Sequence, residues 1–334
     1  MNAIIATGGF GPEAPQAFSN QDRPIPEVQD HDILVKVAAA GMNPVDTKVF
    51  SRLDAGARRV LGWDAVGMVA AIGDQVNQFA PGQRVFYAGD LTRDGSNAEY
   101  QLVDARLAAN APANLSDAEA AVMPLTSITA WEGIFDRLGF IAEAGANRGR
   151  SLLVIGGAGG VGSMIIQLAV WAGITVAATA GRPRSAQWCR NLGASVVVGR
   201  DNIPARLKEA GMPLVDAIFC TTHAADHWAA MAEVIAPQGG VCLIDDPAVP
   251  LDITVFKTKC ARICWEFMFA RSLFKTSDMG RQGEILDAVA RMVEAGTLRT
   301  TLADTLHGLC ADTVRQAHLR QASEAMVGKQ VIVF

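Results

Sequence analysis

The spacing of apolar positions changes character along the chain. In the first third, short runs at 33–37, 67–72, 84–87 and 99–103 are each bounded by Gly, Pro or Asp. Brief strands punctuated by turn residues predict a β-rich, barrel-like domain. From residue 151 the runs become mostly apolar and rich in β-branched residues. Strands are expected at 152–155, 174–179, 195–198, 215–220 and 241–244, with helical segments between them. This alternation is the βαβ pattern of an α/β, doubly wound parallel sheet buried on both faces. A helix at 283–295 and a last strand at 330–334 follow, and are expected to return to the first domain. The predicted division is 1–125 and 271–334 for the β-rich domain and 126–270 for the parallel-sheet domain. The cleft between them is the default place for a ligand.

Composition narrows the possibilities. A chain of 334 residues exceeds one ordinary core, which agrees with two domains. Half the residues are hydrophobic and 19% are charged, with a net charge of -5. That charge leaves no electrostatic footprint for nucleic acid or an anionic membrane, so a small molecule is the expected partner. The stretch 151–180 has no charged residue, yet its glycine cluster and second β-branched run describe strand, helix and strand and not a membrane span. No basic segment followed by an apolar core opens the chain, which predicts a cytoplasmic protein. The six cysteines all lie at or beyond Cys189 and are read as reduced thiols, not a disulfide framework.

The chemistry starts at Ser151-Leu-Leu-Val-Ile-Gly-Gly-Ala-Gly-Gly-Val-Gly162. A buried strand runs into a glycine turn, and a helix from about 161 to 171 follows. Gly157, Gly159 and Gly162 match the G-x-G-x-x-G dinucleotide fingerprint: one glycine for the turn, one for phosphate approach and one for close helix packing. Ala158, Gly160 and Val161 share that turn, and the free N–H groups at the helix start would face a pyrophosphate. Thr179 and Thr221, at the ends of the second and fourth strands, complete this part of the candidate set. An enzyme that uses NAD places an acid about 20 residues after the glycines to hold the ribose 2′-hydroxyl. Here Ala180-Gly-Arg-Pro-Arg-Ser185 carries no acid and two arginines, and Arg200 follows the third strand. Arg182, Arg184 and Arg200 therefore point to NADP(H), whose 2′-phosphate needs cationic donors.

Further segments identify a family resemblance over essentially the whole length. Asn43-Pro-Val-Asp-Thr47, Leu61-Gly-Trp-Asp-Ala-Val-Gly67, Pro81-Gly-Gln-Arg-Val85 and Pro124-Leu-Thr-Ser-Ile-Thr-Ala-Trp131, with the glycine turn, resemble the medium-chain dehydrogenases/reductases. The similarity is to the branch holding quinone oxidoreductases and zinc-type alcohol dehydrogenase-like proteins. It implies a GroES-like catalytic domain, a Rossmann cofactor domain and a homodimer joined through the last Rossmann strand, expected at 261–269. The departures are as informative. Alcohol dehydrogenases of the family carry a cysteine where Asn43 stands and Gly-His-Glu where Gly62-Trp63-Asp64 stand, and they have a four-cysteine zinc loop absent here. With no cysteine before Cys189 and only His31 among the first 125 residues, no tetrahedral zinc site assembles there, so no metal is expected. Asp64 is then a buried turn acid that caps backbone N–H groups, or a remnant ligand.

Without a metal Lewis acid, an isolated carbonyl is the harder target and an enone the easier one, because charge spreads into an enolate. Hydrogen-bond donors suffice for that. Tyr87, one of two tyrosines, is either a proton donor or a barrel-rim residue. Asn43 and Asp46 fall where the family's cleft residues lie; Asp46 is equally an Asx-turn residue. Thr126 and Thr129 either contact the nicotinamide end or cap the helix after Pro124. His223 and His227, four apart, are read as the first turn of a helix and not as a metal pair. The expected activity is NADPH-dependent, zinc-independent reduction of activated C=C bonds or quinones. Alcohol oxidation or carbonyl reduction with a rebuilt site is one alternative. A cofactor-binding protein without turnover, as in crystallin or RNA-binding relatives, is another.

Overall fold

The computed structural model describes residues 1–323 and 325–334. The chain falls into two compact units: Met1–Ile128 with Phe269–Phe334, and Thr129–Met268. In chain order the first part contributes β1 (Asn2–Thr7), β2 (Phe18–Asp22), β3 (Asp32–Gly41), β4 (Arg58–Val60), β5 (Ala65–Ile72), β6 (Arg84–Tyr87), β7 (Tyr100–Asp104) and β8 (Ala108–Asn110). Then come β9 (Ser151–Ile155), β10 (Thr175–Thr179), β11 (Val196–Val198), β12 (Val215–Cys220), β13 (Ile235–Leu243) and β14 (Arg262–Trp265). The last strands are β15 (Leu302–His307) and β16 (Lys329–Val333). The helices used below are α1 (Pro44–Ser51), α2 (Asp117–Ala120), α3 (Pro124–Trp131), α4 (Gly160–Trp171), α5 (Pro183–Asn191), α6 (Ile203–Glu209), α7 (Ala224–Val234), α8 (Ala270–Leu273), α9 (Arg281–Glu294) and α10 (Ala311–Ala322).

The first unit is the GroES-like, β-rich one. A sheet of order β15-β16-β3-β5-β6-β8, with β7 also on β3, stands beside a small sheet β2-β1-β4. Strand β3 pairs with β5, β7 and β16, all antiparallel, and its register shifts twice against β5. Those bulges bend the strand, which a curved sheet needs. Ile33, Val35, Val85, Tyr87, Val103 and Leu107 fill the interior. Helix α9 turns Ile285, Leu286, Val289, Ala290 and Val293 inward at helical spacing. Gly283 on that helix is required, because a Cβ there would lie 2.7 Å from the Arg106 carbonyl oxygen. β1, β2, β4, β15 and α10 have no counterpart in the sequence reading.

The second unit is the Rossmann sheet, parallel throughout, in the order β11-β10-β9-β12-β13-β14. The strand order reverses beside β9, the strand that feeds the glycine turn, and that switch point is where such sheets take ligands. Leu153, Ile155, Ile218, Val241 and Leu243 are buried with Trp228 and Phe256. Two expectations are corrected. The fifth strand starts at Ile235, not 241, and crosses a bulge at Gln238, whose φ is 64°. The last strand is Arg262–Trp265, shorter than 261–269, and pairs on one side only, leaving Trp265 half exposed. The uncharged stretch 151–180 is β9, α4 and β10, and no helix among the described residues is long and apolar enough to cross a membrane.

Candidate active site

In the second unit, β9 ends at Ile155 and the chain reverses at Gly156, with φ 85°. A Cβ at Gly156 would lie 2.3 Å from the Thr221 Oγ1, so this glycine makes the tight turn, one position before the expected Gly157. Gly157 is required for packing: its Cβ would meet the Ala178 Cβ at 2.8 Å. Gly162 lets α4 close on the turn, since a Cβ there would stand 2.3 Å from the Gly156 carbonyl oxygen. Gly159 differs. Its nearest contact would be that same carbonyl oxygen, at an ordinary 3.6 Å, so no protein atom demands a glycine there. The space in front of Gly159 is open to a ligand, and the N-terminus of α4 has neither an acid in its first turn nor a side-chain cap. Free N–H groups with the helix dipole behind them fit a pyrophosphate.

Two of the candidate threonines buttress this turn. The Gly156 N–H donates to Thr179 Oγ1 at 3.0 Å, and Thr221 Oγ1 donates to the Ile155 carbonyl at 2.8 Å. Ala158 is buried while Gly160 and Val161 are partly open. Arg182 caps α5 through its backbone, its N–H donating to Ser185 Oγ at 3.1 Å. Arg184 and Arg200 are exposed, and Arg200 lies across Gly181 within 3.5–3.9 Å of a Cβ position there. Asp201, the acid nearest in sequence, is bound by Arg206 at 2.6 Å. His223 sits outside α7 with φ 53°, bonded through Nδ1 to Thr222 Oγ1 at 2.6 Å, so it does not share a helix face with His227. Burial lowers the His227 pKa, and the charges of His223 and Arg200 add to that against Asp226. The end of β10 is thus a cationic patch.

The first unit holds a second, closed constellation. Asn43 caps α1, its backbone N–H donating to Asp46 Oδ2 at 2.7 Å, and its side-chain amide donates to Asp64 Oδ2 at 3.1 Å. Asp64 Oδ1 accepts the Leu125 N–H at 3.2 Å, which anchors the start of α3. Lys329, at the head of β16, donates to Asp64 Oδ2 at 2.9 Å and also to Asn43 Oδ1. All four side chains are buried, Lys329 at 4% exposure. Burial pushes the Asp64 carboxyl up, and the ammonium, the amide and the backbone donor pull it back. Asp46 is pushed up to about 7, chiefly by burial, with Asp64 adding to the rise and Asn43 and Lys329 opposing it.

The remaining candidates are placed as follows. Tyr87 is neither a rim residue nor exposed: it is fully buried in the barrel core with its hydroxyl unpartnered, and burial raises that hydroxyl far above its ordinary pKa. Its position at the end of β6 put the side chain on the inward face. Thr126 Oγ1, on α3, donates back to the carbonyl of Met123 just before the helix at 3.1 Å, and Thr129 is buried on the same helix. Lys329 was absent from the sequence reading. The available signal was a single lysine against a buried acid in a chain end otherwise apolar, and the expected strand began one residue too late.

Residues 29–113 match the alcohol dehydrogenase GroES-like domain, and residues 160–293 match the zinc-binding dehydrogenase family. The zinc-type alcohol dehydrogenase-like protein of Staphylococcus aureus is 42% identical over 313 residues, 93% of each chain. A solved Rhizobium etli protein, a candidate zinc-dependent alcohol dehydrogenase, superposes with a TM-score of 0.95 at 42% identity, covering 100% of this chain and 98% of that one. The chloroplastic NADPH-dependent alkenal/one oxidoreductase of Arabidopsis thaliana is 38% identical over 187 residues, 52% of this chain and 46% of that one. The chain belongs to the medium-chain dehydrogenase/reductase superfamily and is an oxidoreductase of it. The zinc in its relatives' names does not fit the residues here. An amide, an indole at Trp63 and a carboxylate already bound to an ammonium are not a zinc donor set, and a second cation beside Lys329 would be repelled.

Proposed function

We propose that this protein is an NADPH-dependent, zinc-independent reductase of activated C=C bonds, such as enones, or of quinones. The observation that carries this reading is Lys329, whose ammonium occupies Asp64 and Asn43, the positions that hold metal ligands in the family's alcohol dehydrogenases. NADP(H) rests on the acid-free end of β10 and on the exposed Arg184 and Arg200 beside Arg182. Gly159 and the open start of α4 would hold the pyrophosphate, with Ala158, Gly160 and Val161 around it; Thr179 and Thr221 hold the turn in shape. The nicotinamide held there would supply the hydride for reduction of a conjugated double bond. The chain's contribution is orientation of the dinucleotide at α4 and at the arginines. Tyr87 is enclosed and Asn43 engaged, so the proton that completes reduction comes from water.

The test is oxidation of NADPH by metal-stripped protein against enones, quinones and simple aldehydes, each repeated with NADH. Turnover of conjugated substrates that survives chelation, with NADPH preferred, is the expected result. Arg200→Ala should weaken NADPH binding about 10-fold while leaving NADH unchanged, as loss of one charged hydrogen bond implies. Activity on aldehydes or alcohols alone, and only after zinc is restored, would overturn the assignment.

A further inference from the structure

We propose that the His227 imidazole shares the adenosine 2′-phosphate with Arg200 and takes up a proton as that phosphate binds, so that NADP(H) binding is coupled to pH and NAD(H) binding is not. This pH control rests on the NADP(H) reading above and acts in the same pocket. Its placement follows from the sheet. The strands run parallel, so the ends of β9, β10, β11 and β12 share one edge, and the adenosine half of the dinucleotide lies along that edge once its pyrophosphate sits at the start of α4.

On one side of that path Arg200, two residues beyond β11, reaches across Gly181 just past the end of β10, its side chain 3.5–3.9 Å from a Cβ position there. On the other side Thr221 Oγ1 and Thr222 Cγ2 stand 2.3 and 3.1 Å from a Cβ position on Gly156, so the segment leading to His223 rests directly on the glycine turn. His223 ends that segment. Its Nδ1 pairs with Thr222 Oγ1 at 2.6 Å, and its carbonyl accepts the Asp226 N–H at 3.1 Å and the His227 N–H at 3.3 Å. His227 is thereby held, half-buried, in the first turn of α7. Helix α6 packs on both β11 and α7, and the Arg200 charge reaches the His227 ring.

The surroundings keep that ring neutral until an anion arrives. Burial, His223 and Arg200 hold its pKa below the ordinary 6.5, and Asp226 opposes them. The other elements packed on α7 are β12, β13 and the helical turn Ile253–Lys259. β13 carries no charge. Asp216 of β12 binds Ser151 and Arg150, Arg206 of α6 is paired with Asp201, and Lys259 donates to the Glu233 and Ile235 carbonyls at the far end of α7. None of these, nor Lys208, Glu209 or Lys257, is among the charges that act on the ring. A phosphate monoester has its second pKa near about 6, so at neutral pH it brings close to two negative charges. Opposite charge at short range favours imidazolium, and an imidazole needs only a small push to change its state near neutral pH. The proton comes from solvent, and nothing is oxidised or reduced. NADP⁺ carries the same phosphate as NADPH, so the proton stays through the hydride transfer and leaves with the spent cofactor.

The experiment titrates the full-length protein with NADPH and with NADH by calorimetry at pH 7.5, in Tris and in HEPES, whose ionisation enthalpies differ, and repeats the titrations at pH 6.5 and 8.5. The expected result is proton uptake with NADPH and none with NADH, with NADPH affinity rising as pH falls by up to about 10-fold per unit. His227→Gln should abolish the uptake and the pH slope and weaken NADPH about 10-fold at pH 6.5, the loss of one charge-assisted hydrogen bond, while NADH is unaffected. Wild-type protein with isotope-labelled histidine reads the same event whether or not that variant folds: one of the chain's five imidazoles should gain a proton with NADPH and not with NADH. NADPH preferred without proton uptake, or uptake that survives His227→Gln, overturns the role of His227 and leaves the NADP(H) reading standing. Equal affinity for NADPH and NADH overturns both.

Discussion

The two polar groups of the structure, one in each unit, are opposite kinds of site. In the barrel unit, Asn43, Asp46, Asp64 and Lys329 are buried and bonded to one another or to backbone, so the group is a closed electrostatic unit. In the Rossmann unit, the glycine turn presents backbone N–H groups, the open space before Gly159 and exposed arginines. The first arrangement satisfies its own polar groups; the second leaves backbone N–H groups and cations open, which the proposed function assigns to an anion. Conserving a family's motif position is therefore no guide to whether it still meets a ligand, because a side chain that finds an internal partner is withdrawn from chemistry.

The most severe way to break the contrast is Lys329→Met. It strands Asp64 beside Asn43 in a dry interior, and removing one member of a buried pair costs about 3–5 kcal/mol. Urea unfolding should record that loss, and the double variant Lys329→Met with Asp64→Asn should recover most of it. If the single variant unfolds like the wild type, the network is not a structural cation site. Next come two glycines on one turn. Gly162→Ala drives a Cβ to 2.3 Å from the Gly156 carbonyl and should cost about 1–3 kcal/mol of stability as well as cofactor binding. Gly159→Ala meets nothing closer than 3.6 Å, so stability should stay within about 0.5 kcal/mol. Its NADPH affinity should nonetheless fall at least about 10-fold by calorimetry, since the methyl group stands where the phosphate would approach. Equal affinities would remove the pyrophosphate from this turn.

The net effects of pH come last, because two buried groups of the barrel unit act with opposite sign and largely cancel between pH 4 and 6.5. His318, enclosed by Phe18 and Phe50, has its pKa lowered from 6.5 to about 3 by burial. The unfolded chain takes up that proton below pH 6.5 and the folded chain does not, so stability falls as pH drops from 6.5 toward 3. Asp46, raised from 3.8 to about 7, keeps a proton that the unfolded chain has released, so stability falls as pH rises from 3.8 through about 7. Between pH 4 and 6.5 the two oppose one another, each at no more than about 1.4 kcal/mol per pH unit. Unfolding free energies across pH 4.5–8 should make Asp46→Asn rise more steeply with pH than the wild type, and His318→Phe fall with it. An unchanged slope in Asp46→Asn would mean that Asp46 is ionised throughout.

The strands of the Rossmann sheet were legible because both of their faces are buried. Val215–Cys220 is apolar but for Asp216, and both it and β6 at Arg84–Tyr87 were read at their bounds. β2 and β15 were not, because Phe18-Ser-Asn-Gln-Asp22 and Leu302-Ala-Asp-Thr-Leu-His307 bury few side chains at the margins of their sheets and carry no apolar alternation to find. The glycine turn was read nearly in full, with the turn residue displaced by one. The sequence also supplied Arg182, Arg184 and Arg200 and the missing acid, and it named Asn43, Asp46 and Asp64 one by one as candidates; that they form one group was seen only in the structure. It misjudged Tyr87, since a strand end faces inward or outward according to register, and register is set by the neighbouring strand.

By itself the sequence determined the fold class, the family and the dinucleotide turn, because each is written in local spacing: period-two and all-apolar strands, glycines at fixed offsets, and charge placed within a few residues. Tertiary structure alone decided that Lys329 meets Asp64 across 265 residues of chain, that Gly159 faces open space while Gly162 does not, and that the charge of Arg200 reaches His227. Those are contacts between segments distant in sequence. Their energies depend on burial and register, which no spacing along the chain encodes.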